Sequence, residues 1–291
     1  VIVNLNAADY LVACLRSIRE NPPPYNYEIV VVDNGSNDDS GVRVRSEFTD
    51  ALFISNAQNE GFARASNRGL QEVKGRYVLL LNPDTIVHPE ALGSLISYAK
   101  ANPMIGILGP RVLNRDGTLQ KQCRRSFPTP WVIFTYYSGL ARLFPKSRLF
   151  ARYLRGYEDD LQAHQVDAIS GAAMLVRRET IEQIGVLDET YFAYGEDLDY
   201  CFRAKQANWE VWYYPSAKIT HFGGQGGSMH QPWKAVYEYH RAMIVYYRKH
   251  LANKYPLPLN ALVYLGIGLK TVSALMVNSF RRNKVIGTKK P

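Results

Sequence analysis

Short runs of β-branched residues alternate with helical patterns over the first hundred positions. Residues 1–5 and 28–33 are two such runs, and apolar side chains recur between them at the spacing of an amphipathic helix. The second run is apolar throughout its interior, which is typical of a parallel strand covered on both faces. Further strands are predicted at 51–55 and 77–81, with a helix over about 62–73 between them. This half of the chain therefore predicts an open, mostly parallel α/β sheet flanked by helices, a Rossmann-like arrangement.

In such a sheet, ligands bind in the crevice beyond the carboxyl ends of the strands. Three predicted strands lead into polar loops, at residues 4–6, 33–36 and 82–84. We expect these loops to line a common site.

The pattern loosens after residue 102. Residues 127–157 are rich in aromatic residues and arginine and contain three prolines, so we expect an insertion or flap there. A strand is predicted over 168–177 and a helix over 178–184. A cluster of carboxylates then begins another helix, and a final strand over 209–214 leads to His221.

The formal charge of +9 is concentrated at the carboxyl end of the chain. No Asp or Glu follows Glu238, whereas ten Lys and Arg residues lie between Arg241 and Lys290. Tyrosines and long apolar stretches accompany them, which favours an anionic membrane surface over nucleic acid, with a merely solvated face as the alternative. We therefore predict a basic, aromatic helical tail over residues 241–291.

Within this tail, residues 261–277 are apolar except where Lys270 interrupts them. A spanning helix needs about 20 apolar residues. The segment is therefore interpreted as interfacial or packed on the domain, and a core helix remains the alternative. The three cysteines are widely separated and suggest neither disulfides nor zinc. No signal peptide precedes the first strand, which favours a cytoplasmic protein, although the chain opens without Met.

Several polar residues could carry chemistry. Asp33 ends a buried strand and is either a turn former or an acceptor for the imide N–H of a pyrimidine base. Asn82 and Asp84 follow the apolar run 78–81, a suitable place for Mg²⁺ or Mn²⁺ bound partly by substrate oxygens, although such a tripeptide also makes ordinary turns. His221 precedes a glycine-rich loop and is a candidate ligand for the same kind of ion.

Carboxylates also crowd the start of the helix near residue 196. Glu196, Asp197 and Asp199 favour a helix N-terminus electrostatically, so capping is one interpretation. The other is a general base, with Asp197 the first candidate and Glu196 the second. Arg203 on the same helix either clamps a phosphate or pairs with Asp199.

The order of these motifs resembles glycosyltransferase family 2, enzymes of the GT-A fold, and within it the rhamnosyltransferase-like branch of bacterial polysaccharide biosynthesis. The resemblance spans nearly the whole chain and rests on seven short motifs. These are VIVNLN at 1–6, VVDNGS at 31–36, NEGFA at 59–63 with Asn67, LNPD at 81–84, SGAAM at 170–174, GEDLD at 195–199, and His221.

The resemblance implies an α/β GT-A catalytic domain over residues 1–240, with a nucleotide-binding half at about 1–100 and an acceptor-side half at 101–240. It implies a metal-dependent, inverting transferase with Asp197 or Glu196 as base and Asp84 and His221 as ligands of Mn²⁺ or Mg²⁺. Gly171 and Ala172 would lie on the acceptor side. The implied donor-binding residues are Asn4, Asn6, Asp33, Asn59, Gly61, Asn67, Asn82 and Arg203.

The resemblance also implies the partners. The donor would be a nucleotide-diphosphate sugar, with rhamnose from a deoxythymidine-diphosphate donor favoured, and the acceptor a glycan or lipid-linked hydroxyl in cell-surface polysaccharide synthesis. No nucleic acid partner is expected, and the place would be the cytoplasmic face of the inner membrane. Two positions depart from the family pattern: Asn82 replaces the first Asp of a DXD motif, and Leu5 replaces a common aromatic residue.

Two other functions remain open. A sugar nucleotidyltransferase would normally carry a glycine-rich, basic loop for the triphosphate, and residues 4–10 contain no Gly, Lys or Arg. A non-catalytic sugar-binding or nucleotide-sugar-binding descendant would be expected to lose the base or the metal ligands, whereas Asp84, Asp197 and His221 are all present.

Overall fold

The computed structural model describes residues 1–225 and 232–280, which fold around a mixed β-sheet flanked by helices. The strands are β1 (Ile2–Asn4), β2 (Val30–Asp33), β3 (Leu52–Ser55), β4 (Tyr77–Leu81), β5 (Thr85–Val87), β6 (Ile105–Leu113), β7 (Arg124–Arg125), β8 (His164–Gln165), β9 (Ala168–Ile169), β10 (Ala173–Arg177) and β11 (Glu210–His221). The helices are α1 (Ala8–Glu20), α2 (Ser40–Glu47), α3 (Phe62–Glu72), α4 (Ala91–Ala101), α5 (Pro130–Tyr137), α6 (Leu140–Leu143), α7 (Arg178–Ile184), α8 (Glu196–Gln206), α9 (Pro232–His250) and α10 (Leu257–Phe280).

The main sheet has the order β3-β2-β1-β4-β10-β6-β11-β5, with β8 beside β11. The first four strands in this order are parallel. β10 is antiparallel to both of its neighbours, β4 and β6, and β6 is parallel to β11. The carboxyl ends of β1, β2, β4 and β11 therefore share one edge with the amino end of β10. We call this the site edge.

Successive residues of a strand pack alternately into the two hydrophobic clusters on either side of the sheet. In β2, Val30 and Val32 pack into a cluster that contains residues of α3, whereas Val31 packs into a second cluster with Leu11 and Leu15 of α1. Successive strand side chains point to opposite faces, and both faces of this sheet are covered. This two-sided burial explains why residues 29–32 carry no polar side chain.

The β1–α1–β2 unit, β3, α3 and β4 lie where the pattern predicts them, but two strand predictions differ from the structure. The strand predicted over 168–177 is broken at residues 170–172, because β9 leaves the main sheet and pairs with β7. The final strand runs on from Tyr214 to His221 through a register irregularity that contains Pro215. Proline donates no ladder hydrogen bond, so an irregularity is needed there.

The predicted domain boundary at residue 240 lies inside a helix. Helix α9 runs across that position, and its second half packs into the core through Ala242, Tyr246 and Tyr247. It is also tied to α8: His250 Nε2 and Lys249 Nζ each lie 2.7 Å from Oδ1 of the buried Asp199. We therefore propose that the catalytic domain extends to about residue 255. The basic positions 281–290 of the predicted tail lie outside the described residues.

Helix α10 is longer and more exposed than the sequence suggests. It is the helix among the described residues that is long and apolar enough, by length and composition, to cross a membrane, and none of its most apolar stretch is buried. One face nevertheless packs on the domain, since Tyr264 contacts the ring of Tyr247 and Lys270 Nζ lies 4.7 Å from the ring centre of Tyr137 in α5. α10 is therefore not a core helix.

Candidate functional site

The loops at the site edge surround a cavity of about 2220 Å³. Its walls come from the ends of β1, β4 and β11, from the start of α8, and from one face each of α5, α9 and α10. Ligand cavities commonly measure about 300–1,000 Å³, so this one has room for two substrates together.

Asp33 at the end of β2 organises the first loop of the site. Its Oδ1 accepts hydrogen bonds from Asn4 Nδ2 at 2.9 Å and Ser36 Oγ at 2.6 Å, and its Oδ2 accepts one from the Ser36 N–H at 3.0 Å. Asn6 has φ 51° and accepts a hydrogen bond from the Asn37 N–H, which fixes the opposite side of the loop. Because Asn4 donates to a carboxylate, its Oδ1 faces away, and this buried oxygen has no partner within the described residues.

A second group of amides joins the loops after β2 and β3. Asn34 Nδ2 donates to Asn59 Oδ1 and to the Gly61 carbonyl, while Asn34 Oδ1 accepts from Asn56 Nδ2. Gly61 has φ 91°, and a Cβ there would lie 2.5 Å from the Phe192 carbonyl oxygen. This position therefore requires glycine. Asn34, Asn59 and Gly61 line the cavity, and sequence reasoning did not single out Asn34.

Asp84 and His221 meet because β5 and β11 pair beside them. The strand register sets His221 opposite Thr85, and His221 Nε2 lies 3.2 Å from Asp84 Oδ1 and 3.2 Å from Asn82 Nδ2. His221 Nδ1 lies 2.8 Å from Gln120 Oε1, an oxygen that can only accept, so Nδ1 carries a proton. Nε2 is the ring nitrogen that faces Asp84.

Burial alone would raise the pKa of Asp84, but the hydrogen bond and charge of His221 outweigh it and hold the pKa below its usual value. The carboxylate is ionised near neutral pH, and its Oδ2 accepts one long bond from the Gln225 N–H. A carboxylate and an imidazole nitrogen, once that nitrogen gives up its proton to make way for a cation, would be a donor set that suits Mn²⁺.

The residues present fit a divalent cation that is shared with a substrate. Ligands at about 2.1 Å in an octahedral shell lie about 3 Å apart, which is comparable to the 3.2 Å between Asp84 Oδ1 and His221 Nε2. Within residues 1–225 and 232–280, no cluster of three or more His, Cys, Asp or Glu side chains could hold a metal ion. The remaining ligands would have to be water and substrate oxygens.

Asp197 lies in the same cavity, at the start of α8. Its Oδ2 accepts from the Gly171 N–H at 3.0 Å and forms an ion pair with Arg125 of β7 at 2.5 Å, and its Oδ1 accepts from the Leu198 N–H. The break in the strand at residues 170–172 is what brings the Gly171 N–H to this carboxylate. Burial lowers the pKa of Arg125, but the charge of Asp197 raises it above the usual value, so the guanidinium stays charged.

Glu196 also lines the cavity but differs from its neighbour. Burial, together with the charge of Asp197, raises the pKa of Glu196 to about 8. Its Oε2 is buried and has no hydrogen-bond partner within the described residues. Glu196 is therefore mostly protonated at neutral pH, whereas Asp197 forms an ion pair with Arg125. A protonated carboxyl is a poor base, which favours Asp197 for that role.

Four residues predicted to bind the donor, Asn6, Asp33, Asn67 and Arg203, are not among those that line the cavity. Asn6 and Asp33 order the loop beside it, whereas Asn67 and Arg203 bind elsewhere in the fold. Both polar atoms of Asn67 bind the loop after α7: Nδ2 donates to the Leu187 carbonyl and Oδ1 accepts from the Leu187 N–H. Arg203 pairs with Asp199 and donates to two carbonyl groups of the same loop. We therefore assign Asn67 and Arg203 structural roles and leave them out of the proposed donor site.

The structure adds Arg125 and Gln120 to the site. Neither had a recognisable signal in the sequence, because Arg125 lies next to Arg124 and Gln120 lies in an unremarkable loop. Gln120 is oriented by Asn114, whose Oδ1 accepts from Gln120 Nε2 at 3.3 Å. Ala172 is buried beside the cavity, where its carbonyl accepts from the Asn82 N–H.

Comparison with known proteins places these features in context. The sequence model of the family described as Glycosyl transferase family 2 matches residues 1–185. The chain is 31% identical over 185 residues to the low-salt glycan biosynthesis hexosyltransferase Agl10 of Haloferax volcanii, a match that covers 62% of this chain and 54% of that protein. It is 26% identical over 269 residues to the N-acetylglucosaminyl-diphospho-decaprenol L-rhamnosyltransferase of Mycobacterium tuberculosis, covering 88% of this chain and 85% of that one.

Solved structures share the fold. The mannosyltransferase PcManGT from Pyrobaculum calidifontis, in complex with GDP-Man and Mn²⁺, superposes with a TM-score of 0.57 at 16% identity, over 96% of this chain and 78% of that one. GalNAc-T7 with UDP, GalNAc and Mn²⁺ superposes with a TM-score of 0.56 at 18% identity, over 76% of this chain and 43% of that one. The predicted α/β GT-A fold with a C-terminal helical extension is confirmed.

Proposed function

The chain belongs to glycosyl transferase family 2, and on this premise we propose that it moves a sugar, with inversion, from a nucleotide-diphosphate donor to a hydroxyl acceptor. The observation that carries the proposal is that one cavity contains both a candidate metal-binding pair and a candidate general base. Asp84 and His221 form a pair suited to a cation, and Asp197 with Arg125 forms a positioned carboxylate.

The transfer needs one base. A carboxylate oxygen of Asp197 takes the proton of the acceptor hydroxyl, and the acceptor oxygen forms a bond to the anomeric carbon. The bond from that carbon to the diphosphate oxygen breaks, and its electron pair leaves with the nucleoside diphosphate. The Gly171 N–H and Arg125 hold Asp197 in place for this step. A divalent cation between Asp84 and His221 would offset the charge that develops on the departing diphosphate.

The donor is proposed to be a nucleotide sugar with a pyrimidine base. Asp33 Oδ2 accepts only the Ser36 N–H, and Asn4 Oδ1 accepts nothing within the described residues, so acceptor capacity remains for an imide N–H. Rhamnose from a deoxythymidine-diphosphate donor is our preferred donor, and its support is the printed activity of the mycobacterial relative. Asn59, Gly61 and Asn82 line the same cavity, and Asn6 orders the loop beside it through Asn37.

The acceptor is proposed to be a growing glycan on a lipid carrier, at the cytoplasmic face of the inner membrane. Large apolar side chains are exposed on two neighbouring elements, which we call the apolar surface. It consists of Trp131, Phe134, Tyr137, Leu143, Phe144 and Leu149 of the segment 131–149 and of Leu262, Leu265, Leu269, Val272 and Met276 of α10.

Basic residues accompany the apolar surface. Residues 117–157 contain eight Lys and Arg residues and no Asp or Glu. Apolar and aromatic side chains next to basic ones are the composition of a surface that lies on anionic lipid. This supports a peripheral enzyme, with both the segment 131–149 and α10 against the bilayer.

The test is the release of nucleoside diphosphate from a panel of nucleotide sugars, with and without Mn²⁺ or Mg²⁺. We expect metal-dependent turnover with one donor, lost in Asp197→Asn and kept in the matched surface variant Asp50→Asn, whose side chain is 62% exposed. Donor binding without turnover, even with lipid-linked acceptors supplied, would instead support a non-catalytic sugar-binding protein.

A further inference from the structure

Lys270 is the only charged residue of the 24-residue helix α10. Its ammonium lies between two rings, 4.7 Å from the centre of Tyr137 and 5.7 Å from the centre of Tyr239. Within residues 1–225 and 232–280, no carboxylate lies within ion-pair distance of it and no carbonyl accepts its hydrogen bonds. Aromatic faces stabilise a cation but leave its N–H groups without acceptors. A cation placed in this way has capacity for an anion.

The cavity connects Lys270 to the proposed base. Tyr153 is half-buried and lies near Arg125, Asp197, Tyr136 and Tyr239. Tyr239 in turn contacts Lys270. All of these residues line the one cavity. A tyrosine-lined passage therefore runs from Asp197 to Lys270.

Beyond Lys270 the wall of the cavity becomes apolar. Leu259, Val263 and Ile267 follow one face of α10 at helical spacing, and Ile133 and Phe134 of α5 line the cavity with them. The opposite face of α10 is the exposed part of the apolar surface, with Leu269 64% exposed. The passage thus leads from a polar reaction centre, past Lys270, to a hydrocarbon-like surface.

We propose that Lys270, between Tyr137 and Tyr239, binds the phosphate group of a lipid-linked acceptor, with its sugar toward Asp197 and its hydrocarbon chain along α5 and α10. The inference rests on the proposed function and specifies the acceptor class: a sugar joined to a long-chain alcohol through phosphate. The order of sugar, phosphate and hydrocarbon chain along such a molecule matches the spatial order of Asp197, Lys270 and the apolar wall of the cavity.

The proposal is tested by binding, without turnover. Farnesyl diphosphate and the uncharged farnesol are titrated into the full chain with a chelator and saturating nucleoside diphosphate present, so that neither a metal nor the donor pocket can hold the probe. Binding is followed by calorimetry. We expect the wild type to bind farnesyl diphosphate about tenfold or more tightly than farnesol, because a charge-assisted contact is gained.

Lys270→Met should remove this preference, and Lys270→Arg should keep most of it. The matched control is Lys254→Met, which removes an exposed lysine outside the passage. Lys270→Gln is the second variant, used if the melting temperature of Lys270→Met falls. A wild type without preference, or a Lys270→Met variant that keeps it, would overturn the proposal.

Two further experiments distinguish a lipid-linked acceptor from bulk lipid headgroups as the source of the phosphate, and test the transferase function separately. Flotation with phosphatidylglycerol vesicles should be equal for the wild type and Lys270→Met. A loss of flotation in the variant would mean that Lys270 binds bulk lipid headgroups, which contradicts the proposal. Turnover of an uncharged glycoside acceptor by the wild type tests the transferase function separately, so that function can stand even where the phosphate site fails.

Discussion

Glu196 and Asp197 are adjacent carboxyl groups in one cavity, and the structure predicts opposite results when each is replaced by its amide. Asp197→Asn removes the ionised carboxylate and leaves the buried guanidinium of Arg125 without its partner. Removal of a general base typically lowers the rate by about 10²- to 10⁴-fold, and 10³-fold corresponds to about 4 kcal/mol in the activation barrier.

Glu196→Gln should behave differently. With its pKa raised to about 8, Glu196 is mostly protonated at pH 7, and glutamine has nearly the shape and charge of that protonated form. We expect its activity at pH 7 to stay within about threefold of the wild type, since its charge state hardly changes. The wild type should show a break in its pH profile near pH 8, where Glu196 ionises beside Asp197, and the glutamine variant should lack that break.

The assay is nucleoside-diphosphate release at saturating metal between pH 6 and pH 10, with donor affinity and melting temperature measured for each variant. If Asp197→Asn still binds the donor with the wild-type affinity, its loss of activity reflects the missing base and not a loss of the folded structure. If Glu196→Gln is inactive at pH 7 while Asp197→Asn retains activity, the roles of the two carboxyls are reversed and our reasoning from burial is refuted.

Three other predictions address the metal pair, the core and the membrane. Gln120→Leu removes the hydrogen-bond acceptor that orients the His221 ring. We expect the affinity for Mn²⁺, measured by calorimetry with nucleoside diphosphate present, to fall about 10- to 100-fold. An unchanged affinity would contradict the orienting role of Gln120. Asp199→Asn should lower the free energy of unfolding by about 3 kcal/mol in urea titrations, because it leaves buried His250 and the Arg203 guanidinium without a carboxylate partner. The wild-type contribution, from an Asp199 pKa lowered to about 2, should be complete above about pH 4 and lost as the pH falls toward 2. A chain that ends at Tyr255 should fold with a normal melting transition yet float poorly with anionic vesicles, and equal flotation would argue against α10 as a membrane contact.

The regular patterns of the first hundred residues predict much of the fold. Apolar runs and helical spacing locate β1, α1, β2 and α3, and the polar loops at Asp33 and Asp84 do lie at one edge, because parallel strands share their carboxyl ends. His221 joins them through a strand that the sequence already extends toward it.

The contacts that depend on distant residues could not be predicted. Arg125 and Asp197 are far apart in sequence, and no local pattern links a two-residue strand to a helix start. The break at residues 170–172 was missed because a Ser-Gly-Ala run also suits a continuous buried strand. Arg203 shows an ambiguity that the sequence left open: a phosphate contact and an i,i+4 ion pair with Asp199 were both compatible with its position, and the structure shows the ion pair.

The position of β10 in the middle of the main sheet has a consequence for the folding of the chain. β10 lies between β4 and β6, and its Ala173 pairs with Leu81. A central strand of the sheet therefore comes from a segment about 90 residues further along the chain than the strand it pairs with. Pairing between such distant segments is slow to form, and until it forms the edge of β4 is open to other strands. During synthesis the parallel half must therefore wait until β10 leaves the ribosome. A chaperone that covers the edge of β4 during this interval should increase the yield of folded enzyme.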